Sequence, residues 1–226
     1  TWRRPAADGR RGAKLKEILA ITYGSTDAYG FHALEFCQAL AEQRGGGETG
    51  IRAVQMLTGQ AVWDAFEKKL FDVELFEEAW ERMSWKLAPR EKITERVPSP
   101  LLFRLEYVDG LRVNLLELNG AAAEWSGAWR YADGSSSSSL FWTQEGRPGM
   151  HFTWLLNGIE EMILTGKPAW NPERTLLTSG ALDALLISRK EKQRRVLTPY
   201  LELKYLPSWR WQEPPFPPPM RPWSEQ

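Results

Sequence analysis

Leu101-Leu102-Phe103-Arg104-Leu105-Glu106-Tyr107-Val108-Asp109-Gly110-Leu111-Arg112-Val113-Asn114-Leu115-Leu116-Glu117-Leu118 decides the fold class of this chain. Leu101, Phe103, Leu105 and Tyr107 alternate with Leu102, Arg104 and Glu106, the period of a strand. Asp109-Gly110 is a dipeptide favoured where two strands reverse tightly, and the run from Leu111 to Leu118 returns. The segment therefore reads as an antiparallel hairpin. Two further strands are expected at Ala123–Tyr131 and Leu140–Thr143, with the five serines Ser135–Ser139 as the polar turn between them.

Upstream of the hairpin, Lys16 to Tyr23 carries Ile18, Leu19 and Ile21 and stops at Gly24, which suits another strand. Ser25, Thr26 and Asp27 are successive candidate N-caps. Behind them Tyr29, Ala33, Phe36, Cys37, Leu40 and Ala41 recur at helical spacing up to Gly45. The stretch Gly45-Gly46-Gly47-Glu48-Thr49-Gly50 matches G-x-G-x-x-G, but it follows a helix and precedes a strand beginning at Ile51. A pyrophosphate cradle needs the reverse order, so these glycines read as a helix stop and a mobile loop. Gln60–Leu70 and Val73–Met83 pattern as helices, the second capped by Asp72. Helices are also expected from His151 to Leu164 and from Pro172 to Lys190, with a last strand from Val196 to Tyr205. Seven of the 15 prolines fall at or after Pro207, together with Trp209, Trp211 and Trp223, the composition of an extended tail laid over a surface. Taken together, the pattern is α+β: a mostly antiparallel open sheet with helices packed on one face, spanning 1–206, followed by a Pro/Trp-rich tail over 207–226.

Composition narrows the function. In 226 residues, 29 Lys plus Arg balance 29 Asp plus Glu, so no overall field draws the chain to nucleic acid. The one cysteine, Cys37, and the two histidines, His32 and His151, exclude a disulfide and a Cys/His zinc site, and no metal is expected. No stretch is long and apolar enough to span a membrane, and the chain reads as soluble and cytoplasmic. It opens on Thr1 rather than methionine, as a piece of a longer protein would. No serine sits in a G-x-S-x-G elbow, and Glu160-Glu161 diverge on a helix instead of facing each other across a cleft.

The segment with the most chemistry is Gly24-Ser25-Thr26-Asp27-Ala28-Tyr29-Gly30-Phe31-His32, where a strand gives way to a helix. Gly30 within the first turns costs about 1 kcal/mol against alanine, so a close neighbour, backbone or ligand, is expected there. Asp27 at the helix start is placed to raise the pKa of His32 and fix its tautomer.

Here the chain resembles the C-terminal domain of the Gfo/Idh/MocA-type oxidoreductases, named for glucose-fructose oxidoreductase and inositol dehydrogenase. That domain carries G-G-x-x-x-D-x-G-x-H-x-x-D on its first helix. This chain has Tyr23-Gly24, then Ala28-Tyr29-Gly30-Phe31-His32-Ala33-Leu34-Glu35, with Ala28 in the place of the family's aspartate and Asp27 displaced by one. Thr1-Trp2-Arg3-Arg4 is similar to the end of the family's last Rossmann strand, and the hairpin 101–118 to its sheet. Phe152-Thr153-Trp154-Leu155-Leu156-Asn157-Gly158-Ile159 with Thr165-Gly166-Lys167-Pro168 looks like its F-x-x-A-I…T-G-x-P segment.

The resemblance implies an N-terminal Rossmann domain, missing from this sequence, that binds NAD or NADP in the parent chain, while this portion binds none alone. It implies a carbohydrate or polyol substrate, with His32 as catalytic proton carrier and Asp27 as its partner. Tyr23, Tyr29 and Arg3 are candidate substrate contacts. The alternative is a non-catalytic homologue serving carbohydrate binding or assembly, and in either case a homo-oligomer joined through the sheet strands around 101–143 is expected.

Overall fold

The computed structural model describes residues 2–7, 10–142 and 151–213. The structural statements below concern those residues, and the tail beyond 213 lies outside them. Eight strands form one sheet: β1 (Arg3–Arg4), β2 (Leu15–Thr22), β3 (Ile51–Thr58), β4 (Leu101–Tyr107), β5 (Arg112–Glu117), β6 (Trp125–Tyr131), β7 (Ser136–Phe141) and β8 (Val196–Leu197). The helices are α1 (Thr26–Ala41), α2 (Gln60–Glu67), α3 (Val73–Arg82), the single turn α4 (Ile93–Arg96), α5 (His151–Thr165) and α6 (Pro172–Lys190). In the sheet the order is β1-β7-β6-β2-β5-β4-β3-β8.

The hairpin β4–β5 pairs antiparallel from Leu101↔Glu117 to Glu106↔Arg112, as its alternation requires. Gly110 takes φ of +91° in the turn, and Asp109 accepts a 2.7 Å bond from Arg44 Nε. Every neighbouring pair is antiparallel except β2–β5, which run in parallel through Thr22↔Glu117. The architecture is thus the α+β, mostly antiparallel open sheet that the sequence indicates.

The helices are not confined to one face. Ile18 and Ala20 of β2 face a core shared with α1 and α6, whereas Leu19 and Ile21 face a second core built by α2, α3 and Met83, Ala88, Ile93 and Val97. In α3, Leu75, Phe76 and Trp80 are fully enclosed, and each contributes roughly 2–3 kcal/mol of burial. The physical reason stands in the sequence of β2, where Ile18-Leu19-Ala20-Ile21 is an unbroken apolar run. Alternation marks a strand covered on one side; a continuous run marks one covered on both. On the strands around 101–142 the second face is packed by the chain's own α2 and α3, so the bare apolar face from which self-association was expected is covered among the described residues.

Local differences have local causes. The serine run is strand, not turn: Ser136–Ser139 pair with β6, and the reversal falls at Asp133-Gly134, with φ of +89° at the glycine. Their hydroxyls are used, Ser136 donating to Glu78 and Ser138 accepting from Arg82 Nε. The last strand is short, because Pro199 opens a 3-10 turn after Leu197.

The glycine-rich segment 45–50 is packed rather than free. Gly47 and Gly50 hold φ near +77° and +90° while their backbone passes against the carbonyls of Tyr205 and Leu201, where a side chain would collide. Between them Glu48, wholly buried, accepts the amides of Thr49 and Gly50 at 2.7 Å and bonds from Gln38 and Arg44.

That carboxylate belongs to a buried polar network under the C-terminal segment. Tyr107 Oη donates to Gln38 at 2.7 Å, and Tyr205 Oη donates to Glu42 Oε2 at 2.6 Å. Arg174 of α6 reaches both Glu35 (2.9 Å) and Glu42 (3.2 Å), and its guanidinium lies 5.0 Å from the ring centre of Trp209, whose indole N–H also bonds Glu42. From Trp209 the chain crosses to β1, where Trp211 lies under Arg3 and Glu213 pairs with Arg4.

Candidate functional site

The carboxyl ends of the one parallel pair, β2 and β5, lie side by side, and α1 begins directly above them. This is where a strand-to-helix turn exposes side chains in open sheets. Ser25 is the N-cap, accepting the amide of Ala28 at 3.3 Å. The turn is locked from the next strand: Gly24 N–H donates to Asn119 Oδ1 at 2.8 Å, and Asn119 Nδ2 donates back to Gly24 O at 2.9 Å. Gly24 itself takes φ of +117°, and a Cβ there would strike the ring of Tyr29.

Of the residues singled out in the sequence, Tyr23 and Tyr29 are brought together. Their ring centroids are 6.4 Å apart, and Trp125 of β6 closes the triangle at 6.2 Å from each. The result is an aromatic cluster at the foot of α1, with Tyr23 and Tyr29 half-buried over a buried Trp125. His32 is exposed on the outer side of α1, with its ring edge-on to Phe31 at 5.8 Å. Asp27 is also exposed. No hydrogen bond or ion pair joins the two among the described residues, and helix geometry explains why: five positions turn a side chain by about 140° beyond a full revolution.

Arg3 is elsewhere. It is 3% exposed, stacked between the rings of Phe141 and Trp211, and it donates to Ala7 O at 2.6 Å. Its link to the cluster is indirect, through Phe141, which pairs with both Arg3 and Trp125 in the sheet. Gly30 has the close neighbour its position called for, and that neighbour is protein. Leu182 of α6 lies 3.2 Å from where a Cβ would stand, so the glycine serves helix packing.

The residue that local reading did not find is Glu117. It closes β5, is 1% exposed, and accepts a 3.0 Å bond from Thr26 Oγ1 on its Oε2. Burial pushes its carboxyl up to about 7, against the pull of the Thr26 bond and of Arg189. Its Oε1 has no hydrogen-bond partner, and neither has the buried indole nitrogen of Trp125 on the same sheet face. A signal was present in the strand: Val113 and Leu115 set the inward face, and Glu117 is the next residue on it.

An open cleft of about 410 Å³, lined by Arg4, Pro5, Glu81, Arg82, Ser84, Leu140 and Trp142, lies at the other side of the sheet against the end of α3 and does not include His32. Among the described residues no cluster of His, Cys, Asp or Glu could hold a metal ion, and no helix is long and apolar enough to cross a membrane. Cys37 is sealed in the core, and burial pushes its thiol well above the usual range. In the stretch spelled G-x-G-x-x-G, the amides of Thr49 and Gly50 are taken by Glu48.

No protein-family model and no curated protein matches the chain. Among solved structures it is similar to GenD2 from gentamicin A biosynthesis in complex with NAD, with a TM-score of 0.53 and 13% identity over 86% of this chain and 58% of that one. It is also similar to the aldose-aldose oxidoreductase from Caulobacter crescentus complexed with glycerol, with a TM-score of 0.41 and 13% identity over 81% of this chain and 55% of the other. The chain thus spans little more than half the length of either. The first likeness is one of fold.

Proposed function

We propose that residues 1–206 are the substrate-facing domain of an NAD(P)-dependent oxidoreductase of Gfo/Idh/MocA type that acts on a carbohydrate or polyol. The observation that carries this reading is the junction where β2 gives way to α1, which brings Tyr23 and Tyr29 together and leaves His32 solvent-accessible within the first two turns of the helix. In this reading a sugar ring lies against the half-buried rings of Tyr23 and Tyr29, backed by the buried Trp125, since apolar ring faces suit the C–H face of a pyranose. His32 then takes a proton from a substrate hydroxyl, or returns it, within hydrogen-bond reach. A nicotinamide supplies the redox step when bound, held by a dinucleotide-binding domain that these residues do not form. Support for such a neighbour comes from α5, where Leu156, Ile163 and Leu164 are 60–78% exposed, an apolar helix surface that a partner would cover.

A second reading has its own observation. Asp27 and His32 are not joined, and Ala28 stands where the family's motif has a carboxylate, so the domain would bind a carbohydrate, or serve assembly, without turning it over. The test uses the protein together with its dinucleotide-binding domain. NAD(H) and NADP(H) are titrated by fluorescence, and turnover is compared for a panel of sugars and polyols in the parent and in His32→Ala. A fall of about 10²- to 10⁴-fold in kcat with the cofactor affinity kept is expected. Unchanged turnover removes His32 from the reaction; sugar binding with no turnover in the parent selects the second reading.

A further inference from the structure

We propose that Glu117 is a positioning residue for the first turn of α1, holding the helix start through Thr26 when its carboxyl is protonated and loosening it when the proton leaves. Its meaning for catalysis rests on the reading of His32 above, but the effect on the helix does not.

The argument begins with the geometry. Glu117 lies at the point where β5 ends beneath α1, and only one of its two oxygens is engaged, by the hydroxyl of the first residue of the helix. The surrounding elements contribute little else. Thr22 on β2 is its parallel partner and turns its own hydroxyl to Leu116 O at 3.4 Å, and Leu101 on β4 is its antiparallel partner. Arg189 on α6 is the charged group acting on it, and Asp27 on α1 is exposed to solvent. A neutral carboxyl fits this place, accepting from Thr26 and leaving one oxygen idle at modest cost. An ionised one does not, since a buried carboxylate needs several donors, and here it has a single hydroxyl. Water reaches it only if the start of α1 opens, and that segment carries Tyr29 and leads into His32.

Burial places the change near neutral pH, at about 7. With an ordinary carboxylate in the opened state, the opening equilibrium of the first turn rises about tenfold between pH 6 and pH 8. The test is NMR on the isotopically labelled full chain. Glutamate side-chain carboxyl shifts are followed from pH 4 to pH 9, and amide exchange at Ala28, Tyr29 and Gly30 is measured over pH 6–8 after division by the intrinsic rate. One glutamate titrating near 7, missing in Glu117→Gln, together with a rise in opening that the same variant abolishes, is the expected result. Thr26→Val keeps the carboxyl and removes its donor, so the midpoint should move upward, and this variant carries the test should the first not fold. Titration of Glu117 in the ordinary carboxylate range, or pH-dependent opening that persists in Glu117→Gln, overturns the proposal. Loss of the His32 effect on turnover with these shifts intact overturns only the catalytic reading.

Discussion

Replacing Arg174 by methionine tests what holds the C-terminal segment to the sheet. Arg174 is 9% exposed and faces Glu42, which is wholly buried, as well as Glu35. Burial pushes the Glu42 carboxyl up, Arg174 pulls it down, and bonds from Tyr205 and Trp209 pull it down further. Methionine fills much of the arginine's volume but carries no charge, so Glu42 keeps two neutral donors and loses its cation. Removing one partner of a buried pair costs about 3–5 kcal/mol, because the remaining charge stays desolvated. The folded-state carboxyl, already raised above its unfolded value, rises further in the variant. A raised carboxyl pKa favours the folded state in acid and penalises it once pH exceeds the unfolded value, so the variant's deficit should be smaller at pH 5 than at pH 8. Urea unfolding at the two pH values measures this directly. Adding Glu42→Gln should restore much of the loss at pH 8, since the glutamine oxygen can accept from Trp209 Nε1 and its NH2 can donate to a turned Tyr205 Oη, with no charge to bury. A cost below about 1 kcal/mol, a deficit independent of pH, or no recovery in the double variant would refute the account of this network.

Other contacts carry outcomes of their own. Because the Glu117 carboxyl is raised to about 7 in the folded state, its contribution to stability is fully present below the unfolded carboxylate range and is lost as pH climbs to 7 and beyond. Between pH 5 and pH 8 the wild type should lose about 2–3 kcal/mol more than Glu117→Gln in matched urea titrations, and parallel pH profiles would sink the assignment. At Gly30 an added Cβ would come within 3.2 Å of Leu182 and 3.3 Å of Thr26. Gly30→Leu should therefore destabilise by about 2 kcal/mol, with part of the loss recovered by Leu182→Ala, and a cost that ignores Leu182 would show the glycine answers to something else. On α5, Ile163→Lys and Leu164→Lys should change folding stability by less than about 0.5 kcal/mol, since both side chains are nearly free of the fold. If the proposed function holds, they should weaken the docking of a dinucleotide-binding domain, read by sedimentation of the two domains expressed separately, and unchanged association would count against α5 as its docking surface.

What the sequence discloses about the fold is what local physics controls. The hairpin 101–118 is legible because alternation and an Asp-Gly turn act within a few residues of each other. Ser25 as cap of α1 and Asp72 as cap of α3, the latter accepting from the amides of Glu74 and Leu75, are legible for the same reason. The run Ser135–Ser139 misleads because serine's preference for turns is weak beside a neighbouring Asp-Gly. The reversal settles on Asp133-Gly134 and the serines take the strand, where Arg82 and Glu78 from α3 meet their hydroxyls. The glycines at 45–50 mislead in another way. Flexibility is one use of glycine; close passage of two backbones is the other, and at Gly47 and Gly50 residues more than 150 positions away decide between them.

The site divides along the same line. Tyr23, Tyr29 and His32 are found from one contiguous segment, since a strand, a cap and a helix are all local objects. Trp125 and Glu117 reach that segment only through the register of β6 and β5 against β2, and Thr26 meets Glu117 across 91 positions of sequence. No spacing rule joins residues so far apart. The parallel pair is nevertheless what makes their meeting necessary. In an antiparallel sheet neighbouring strands end at opposite edges, so a helix starting beyond one strand faces the start of the next. Where β2 and β5 run together, both end under the same helix start, and whichever residue closes β5 on the α1 face must lie at the amides and hydroxyls of that turn. Alternation from Val113 through Leu115 makes that residue Glu117. A carboxyl is therefore delivered to the foot of the helix by the register of a strand whose own sequence shows only an ordinary inward face that ends in an acid.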